Sequence, residues 1–298
     1  MSLLEDVTEG KNLGAQIHTI SGINGVGKTT WAAGFPGALV IDLEDGSKHL
    51  NVKRVAAAKV PNVAAVRALL KELASTAHKY QTIVIDSVES LEGLIWDSVC
   101  AEGKVDSIEK YDGGYGKGYT RAREIMREIM KDLQVLQRMD ITSVLVAHTQ
   151  TKTITDPGSN QTYDRVIMRC NDKMAAIIRD LSDNVFYATY KVFTTEQKGK
   201  TKAFGDGQRV MFCQWRPGFD AKNRLELPLE IPLSYDAFIE ACGQTSDDGS
   251  AVIDDILEMV SKVDDKLKET VLGQVEKFKG NVTKLKEVKN RLQKYVVA

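Results

Sequence analysis

A glycine-rich segment near the amino terminus constrains this chain more than any other part of its sequence. Residues Gly22 to Thr29 read GINGVGKT, which fits the pattern GxxxxGK followed by Ser or Thr. An apolar run of strand length, Ile17 to Ser21, precedes the segment, and a stretch of helical character follows it. Glycines in this context let backbone N–H groups converge on a phosphate group. The segment therefore predicts a phosphate-binding loop between a strand and a helix.

The same loop predicts which residues bind ATP and Mg²⁺. We expect the Lys28 ammonium to neutralise β- and γ-phosphate oxygens and the Thr29 hydroxyl to ligate Mg²⁺. A glycine turn that matches the pattern by chance is the alternative, and the strand before it and the carboxylates after it disfavour that interpretation. The residues expected to bind the nucleotide are Gly22, Ile23, Asn24, Gly25, Val26, Gly27, Lys28, Thr29 and Thr30.

Apolar runs alternate with helical stretches through the first two thirds of the chain. The further strand-length runs are Ala38 to Leu43, Thr82 to Asp86 and Ser143 to Ala147, and helical spacing is found over Val63 to Tyr80 and Tyr119 to Met139. This alternation is typical of βαβ units. It predicts an α/β fold of the P-loop NTPase class, with a mainly parallel sheet flanked by helices.

The carboxyl-terminal third has a different pattern. Two apolar runs, NVFYATYKVF and QRVMFCQW, flank a polar, lysine-rich segment and predict a β-hairpin. A linker from Gly243 to Ser250 precedes a charged stretch whose apolar residues recur at helical intervals. We therefore expect a core domain over residues 1–243 and a small helical extension over residues 244–298.

Composition limits the partners and the location of the chain. Forty basic and forty-one acidic side chains give a formal charge of -1, so a polyanion must be met by a local basic surface. No apolar run approaches the length of a membrane helix, about eighteen residues or more, and the amino terminus lacks the pattern of a secretion signal. These observations predict a cytoplasmic protein that has no membrane partner.

The strand TIVID ends in Asp86, at the position where an aspartate would serve the magnesium shell. A cap for the following helix is the alternative role. Many hydrolytic ATPases carry a glutamate directly after this aspartate, but this chain has Ser87 there. The carboxylate that activates water must then come from another part of the sequence.

The string IVIDSVESL, with ALVIDLED between it and the GINGVGKT loop, resembles the ATPase core of the RecA/RadA recombinase superfamily. The resemblance implies that a glutamate just past the second strand polarises the attacking water, and Glu44 matches it, with Asp42 and Asp45 as close alternatives. The strand SVLVAHTQTK resembles the strand whose end senses the γ-phosphate. Recombinases commonly carry Asn-Gln there, so this chain departs from the pattern; we expect His148 to be the sensor, with Gln150 second.

The segment FDAKNRLELP resembles the Lys-Asn-Arg segment of bacterial RadA. The resemblance implies that Lys222 and Arg224 act in trans on the γ-phosphate held by a neighbouring subunit. Such a role requires a homo-oligomer, either a ring or a filament. A basic hairpin tip with no catalytic role is the alternative.

Two polar segments have compositions that suit single-stranded DNA. One, GKVDSIEKYDGGYGKGYTRAR, interleaves tyrosines with cations, and the other, QTKTITDPGSNQTYDR, follows the His148 strand at the position of the family's second DNA loop. Either segment alone is better explained as a solvated loop, but their shared placement after core strands of a RecA-like ATPase favours DNA binding. The cations expected to contact DNA are Lys117, Arg121, Lys152 and Arg165.

The short core also resembles compact phage-encoded RecA-like ATPases of the phage nucleotide-binding AAA type, and this resemblance covers roughly residues 15–240. It implies an ATP-dependent protein that binds single-stranded DNA in homologous recombination or strand annealing, in the host cytoplasm. A RecA-type ATPase that acts on protein partners without DNA is the first alternative. A small-molecule kinase, which would transfer phosphate to a metabolite, is the second.

Overall fold

The computed structural model describes residues 14–197, 200–243, 250–260 and 265–277, together with residues 285, 288, 289, 291–293 and 295. The chain forms two compact units, Met1–Phe238 and Ile239–Ala298. The boundary expected from composition, after Gly243, stays a prediction.

A nine-stranded sheet forms the centre of the first unit. Its strands are β1 (Ile17–Gly22), β2 (Ala38–Asp42), β3 (Lys53–Ala56), β4 (Thr82–Asp86), β5 (Thr142–Thr155), β6 (Thr162–Met168), β7 (Asn184–Tyr190), β10 (Arg209–Phe212) and β11 (Glu230–Pro232), and a separate pair consists of β8 (Phe193–Gln197) and β9 (Lys200–Phe204). The strand order is β11-β10-β7-β1-β5-β4-β2-β3, with β6 paired to β5. The six strands from β7 to β3 in this order are parallel to one another, so the predicted α/β architecture is confirmed.

Helices connect the parallel strands and cover both faces of the sheet. They are α1 (Lys28–Ala33), α2 (Val63–Ser75), α3 (Val88–Gly103), α4 (Lys117–Arg138), α5 (Asp172–Leu181) and α6 (Tyr235–Ala241). Alternate residues of a strand point to opposite faces, and Ile83 and Ile85 of β4 join the large apolar core that includes α2, α3, α4 and α5. The other face carries an aromatic cluster that consists of His18, Trp31, Phe35, Phe186 and Phe238.

Two elements differ from the sequence prediction in length. Helix α2 ends at Ser75 and not near Tyr80, because Thr76 is extended and the His78 imidazole donates to the carbonyl oxygen of Leu73 in the last turn, at 2.8 Å. Strand β5 does not end at Ala147 but continues to Thr155.

The continuation of β5 replaces the predicted second loop with a two-stranded ribbon. Thr149 to Thr155 of β5 pair in antiparallel register with β6, from Met168 back to Thr162. The tip of the ribbon is a turn in which Asp156 accepts hydrogen bonds from the backbone and the side chain of Ser159. A side-chain pattern of alternating threonines explains the extended backbone, because β-branched residues fit a pleated surface.

The predicted hairpin is formed by β7 and β10, which pair in antiparallel register at the edge of the sheet. The polar segment between them is not a simple loop, since it contains the β8 and β9 pair. This outcome confirms the hairpin and adds a smaller one at its end.

The second unit is helical in its described parts, as predicted. It contains α7 (Ser250–Val260) and α8 (Asp265–Lys277), and further helical residues follow. Its core consists of the buried side chains of Ile256, Val260, Val271, Val275, Leu285, Val288 and Leu292. Among the described residues of the whole chain, no helix is long and apolar enough to cross a membrane.

Candidate functional site

The glycine-rich loop lies at the carboxyl edge of the sheet, between β1 and α1. Gly22 must lack a side chain, because a Cβ there would come within 2.3 Å of the Ala188 carbonyl oxygen on the neighbouring β7. Gly27 has φ 107°, a backbone conformation that favours glycine. The two glycines thus allow the close turn that the motif predicts.

Lys28 is buried at the base of this loop. Its ammonium group donates to the carbonyl oxygens of Gly22 and Ile23, at 3.0 and 2.9 Å, and lies 3.4 Å from Nδ1 of His148. Burial lowers the pKa of Lys28, and the nearby carboxylates of Asp86, Glu89 and Glu44 oppose that shift. The surroundings of Lys28 are therefore rich in negative charge.

Thr29 and Asp86 form the adjoining pair. The Thr29 hydroxyl donates to Oδ2 of Asp86 at 2.6 Å. Burial raises the pKa of Asp86, the hydrogen bond from Thr29 lowers it, and the neighbouring charges of Glu44 and Asp42 raise it further. Hard oxygen donors and an excess of negative charge are what Mg²⁺ requires, so Thr29 and Asp86 fit the predicted magnesium ligands.

Glu44 follows β2 and reaches the start of α3. Its Oε1 accepts hydrogen bonds from the hydroxyl groups of Ser87 and of Ser90, the second at 3.0 Å. Partial burial raises the pKa of Glu44, but the two hydroxyl groups and His148 together lower it below its usual range. The carboxylate is therefore held ionised at one edge of the site.

The two alternative carboxylates point elsewhere. Asp42 is buried and accepts hydrogen bonds from Gly46 N and from the backbone and hydroxyl of Ser47, which orders the turn after β2. Asp45 pairs with Lys48 in solvent at 3.1 Å. Of the three acidic residues, Glu44 is the one whose side chain lies beside His148.

His148 lies where the buried part of β5 ends. Its Nε2 is 3.7 Å from Oε2 of Glu44. An ammonium group can only donate, so Nδ1 is the acceptor in the contact with Lys28, and Nε2 is the ring nitrogen that faces Glu44. Gln150 is two residues further along the same side of β5, exposed on the ribbon.

Sequence reasoning missed four residues that complete this arrangement. Ser87 and Ser90 hold Glu44, and Oε1 of Glu89 accepts the backbone N–H of His148 at 2.8 Å. The Arg169 N–H donates to the His148 carbonyl oxygen at 3.0 Å, and its charge contributes to the lowered pKa of Lys28. Ser87 and Ser90 follow Asp86 at the end of β4, and Glu44 follows the neighbouring strand β2. Their position in the sequence therefore could have indicated that the serines lie near Glu44.

The two predicted trans-acting residues lie away from the phosphate loop of their own chain. Lys222 pairs with Val185, at the start of β7, whereas Gly22 lies beside Ala188 three residues further along. At about 3.3 Å per residue this offset is about 10 Å. Lys222 and Arg224 therefore do not join the cluster around Lys28.

Both residues have partners within the chain. The Lys222 ammonium donates to the carbonyl oxygens of Arg179, Asp180 and Ser182, at 3.0, 3.0 and 2.6 Å, and so caps the end of α5. Arg224 pairs with Asp183 at 2.8 Å. A trans-acting role would require both side chains to exchange these partners.

The four cations expected to contact DNA are each ion-paired within the chain. In the segment before and at the start of α4, Lys117 lies 2.8 Å from Asp112 and Arg121 lies 3.1 Å from Glu102. These pairs are at least partly exposed, and pairs of that kind contribute little stability. Their cations can exchange a carboxylate for a phosphate at small cost.

The two cations on the ribbon differ from each other. Lys152, midway along the ribbon, pairs with Asp172 in solvent. Arg165 is mostly buried, pairs with Asp220, and lies over the Trp215 ring at 5.2 Å from the ring centroid. Of the four predicted cations, Arg165 is thus the least available to a polymer.

Comparisons with known proteins identify a family and a solved structure to which this chain is similar. A family model described as an AAA domain, AAA_24, matches residues 15–225. No curated protein matches the sequence. Among solved structures, a KaiC-like protein from the hyperthermophilic archaeon Pyrococcus horikoshii OT3 is 13% identical, with a TM-score of 0.37, over 74% of this chain and 85% of that one.

Proposed function

We propose that this chain, which belongs to the AAA_24 family of AAA domains, is a magnesium-dependent ATPase that acts on single-stranded DNA. Its fold is that of a RecA-like P-loop NTPase, with the phosphate loop at the carboxyl edge of a parallel sheet. The observation that carries the proposal is the convergence of Lys28, Asp86, Glu44 and His148 at this one edge.

Nucleotide binding uses the loop and the residues next to it. The backbone N–H groups from Gly25 to Thr29 would donate hydrogen bonds to the phosphate chain, and Lys28 would neutralise its terminal oxygens. Thr29 and Asp86 would hold Mg²⁺. When bound, Mg²⁺ supplies positive charge that stabilises the negative charge of the phosphate groups.

Glu44 is the group proposed to orient and activate the attacking water. Its carboxylate is held ionised by Ser87 and Ser90, so it can accept a proton from water. The Nε2–H of His148 faces the same space and can donate to a phosphoryl oxygen or to the water. Preorganised donors of this kind stabilise charge that develops in the transition state.

Three variants test the ATPase proposal. Lys28→Ala should abolish hydrolysis, because it removes the cation of the loop. Glu44→Gln should still bind ATP but hydrolyse it at least about a hundredfold more slowly, the scale of lost general-base catalysis. Asp45→Asn is the matched control and should retain activity, since its side chain pairs with Lys48 in solvent. If Asp45→Asn hydrolysed ATP more slowly than Glu44→Gln, the proposed role of Glu44 would be rejected.

The continuity of β5 supports a polymer as the target of the ATPase. The strand runs from its buried part through His148 into the exposed ribbon without a break. A change in the partners of His148 during the ATP cycle can therefore be transmitted along one strand to Lys152. Single-stranded DNA suits the exposed cations and tyrosines near this surface.

Measurements of hydrolysis with and without single-stranded DNA separate the candidate functions. The proposal predicts faster hydrolysis with DNA, and binding that weakens as salt concentration rises. An ATPase that acts on protein partners would show neither effect. A small-molecule kinase would transfer the phosphate to a metabolite. Release of inorganic phosphate when no metabolite is present would argue against that function.

The position of Lys222 and Arg224 supports a homo-oligomer. Because the two residues lie about 10 Å along the sheet from their own phosphate loop, we propose that they serve the nucleotide of a neighbouring subunit. Cations placed in this way stabilise the charge of the transferring phosphoryl group. We propose that each active site is completed by the next subunit of a ring or filament.

A further inference from the structure

An exposed arginine, Arg209, lies over the phosphate-binding loop. Its guanidinium Nη1 is 2.8 Å from the point that a Cβ on Gly27 would occupy. Gly27 directly precedes Lys28, in the part of the loop whose backbone N–H groups bind phosphate in this motif. The guanidinium therefore lies next to the part of the loop that is expected to hold the phosphate chain.

Sheet pairing fixes the backbone of Arg209 at this place. Arg209 is opposite Tyr190 in the β7 and β10 pair, and its carbonyl oxygen accepts the Leu233 N–H at 3.1 Å. The Tyr190 hydroxyl in turn donates to the Gly25 carbonyl oxygen at 3.3 Å. Hydrogen bonds thus join the loop to β7 and β7 to the strand that carries Arg209.

The donors of this guanidinium are unused within the part of the chain that the structure describes. Other arginines near the predicted functional surfaces, such as Arg121 and Arg165, pair with carboxylates. Arg209 is exposed and has no side-chain hydrogen bond or ion pair with a described residue. A guanidinium presents planar donors that match phosphate oxygens, and it stays charged at every physiological pH.

We infer that Arg209 is a ligand of the nucleotide's phosphate chain, supplied by the same chain as the loop. The inference rests on the proposed function, since it needs a nucleotide at Gly27. It distinguishes Arg209 from Lys222 and Arg224, which would serve a neighbouring subunit. Each site would then combine one arginine of its own with cations from the next subunit.

Binding measurements with two ligands test this role. The variants are Arg209→Gln, which removes the charge, and Arg209→Lys, which keeps it. Arg216→Gln is the matched control, because Arg216 is also exposed and its hydrogen bonds with Phe219 use only backbone atoms. Calorimetry gives the Kd of ATP, and competition gives the Kd of inorganic tripolyphosphate, which has no base or ribose.

Arg209→Gln should weaken ATP and tripolyphosphate alike, by about tenfold or more, the scale of a lost charge-assisted hydrogen bond. Arg209→Lys should lose less, and Arg216→Gln should bind as the wild type does. Equal thermal unfolding without ligand shows that the variants fold.

Unchanged binding of both ligands by Arg209→Gln would overturn the inference and leave the proposed function standing. Weaker ATP binding with unchanged tripolyphosphate binding would also overturn it, because the guanidinium would then contact the base or the ribose. Failure of the wild type to bind ATP would reject the proposed function, and the role of Arg209 with it.

Discussion

A buried histidine should make the stability of this protein depend on pH. His18 of β1 is enclosed by aromatic side chains, with ring centroids of Phe35 and Phe238 at 5.5 and 5.6 Å. Burial lowers the pKa of His18 to about 4, although the charge of Asp183 opposes the shift. The folded protein therefore holds this imidazole neutral at a pH where the unfolded chain protonates it.

The size of the effect follows from the two pKa values. An unfolded histidine has a pKa of about 6.5, so the contribution is fully present above that pH and is lost as the pH falls towards 4. At pH 5 the unfolded state gains about 2 kcal/mol from protonation relative to the folded state. The loss approaches about 3 kcal/mol once the pH is below both values.

Denaturant unfolding at pH 7.5 and at pH 5 measures this loss. The His18→Phe variant removes the titrating group and keeps an aromatic ring in the cage. Between pH 7.5 and pH 5 its free energy of unfolding should therefore fall by about 2 kcal/mol less than that of the wild type. Trp31 fluorescence reports on the cage, since its ring lies against Phe35. His49→Gln, at an exposed histidine, should follow the wild type. Parallel pH dependence in wild type and His18→Phe would refute the reasoning.

Three further predictions concern the proposed active site and the proposed binding of single-stranded DNA. Ser90→Ala removes a hydroxyl group that lowers the pKa of Glu44. The acid limb of the pH–rate profile for ATP hydrolysis should therefore move to higher pH. An unchanged acid limb would show that this hydrogen bond does not control the ionisation of Glu44. The double variant Lys222→Ala, Arg224→Ala should bind ATP but hydrolyse it at least about tenfold more slowly. Mixing it with Glu44→Gln protein should restore part of the activity, and lack of rescue would exclude a trans-acting role. Lys152→Ala should reduce the salt dependence of binding to single-stranded DNA by a slope of about 0.7, and an unchanged slope would remove Lys152 from the interface.

The parts of the site that depend on neighbouring parallel strands could be predicted from the sequence. Asp86 is the last residue of β4, Glu44 follows the end of β2, and those strands pair with Asp42 opposite Asp86. The carboxyl ends of parallel strands meet at one edge, so carboxylates that follow them come together. The glycine-rich motif predicted that Lys28 lies at the same edge of the sheet.

The contacts made by helices and by the antiparallel edge could not be predicted in this way. Glu89 meets the backbone of His148 only because α3 packs on β5 with a particular rotation, which periodicity does not determine. Arg209 reaches Gly27 only through the register of β10 against β7. The capping of α5 by Lys222 depends on an isolated bridge to Val185 and has no local sequence signal.

The ribbon formed by β5 and β6 restricts which insertions and deletions the protein can accept. Adding one residue between Thr149 and Thr155 would turn every later side chain of that strand to the opposite face. A deletion that shortens the ribbon would have to remove one residue from β5 and its partner from β6, so that the remaining pairs keep their register. The turn at Asp156 to Gln161 has no such restriction, and it is therefore the place to insert a peptide tag or a fluorescent label.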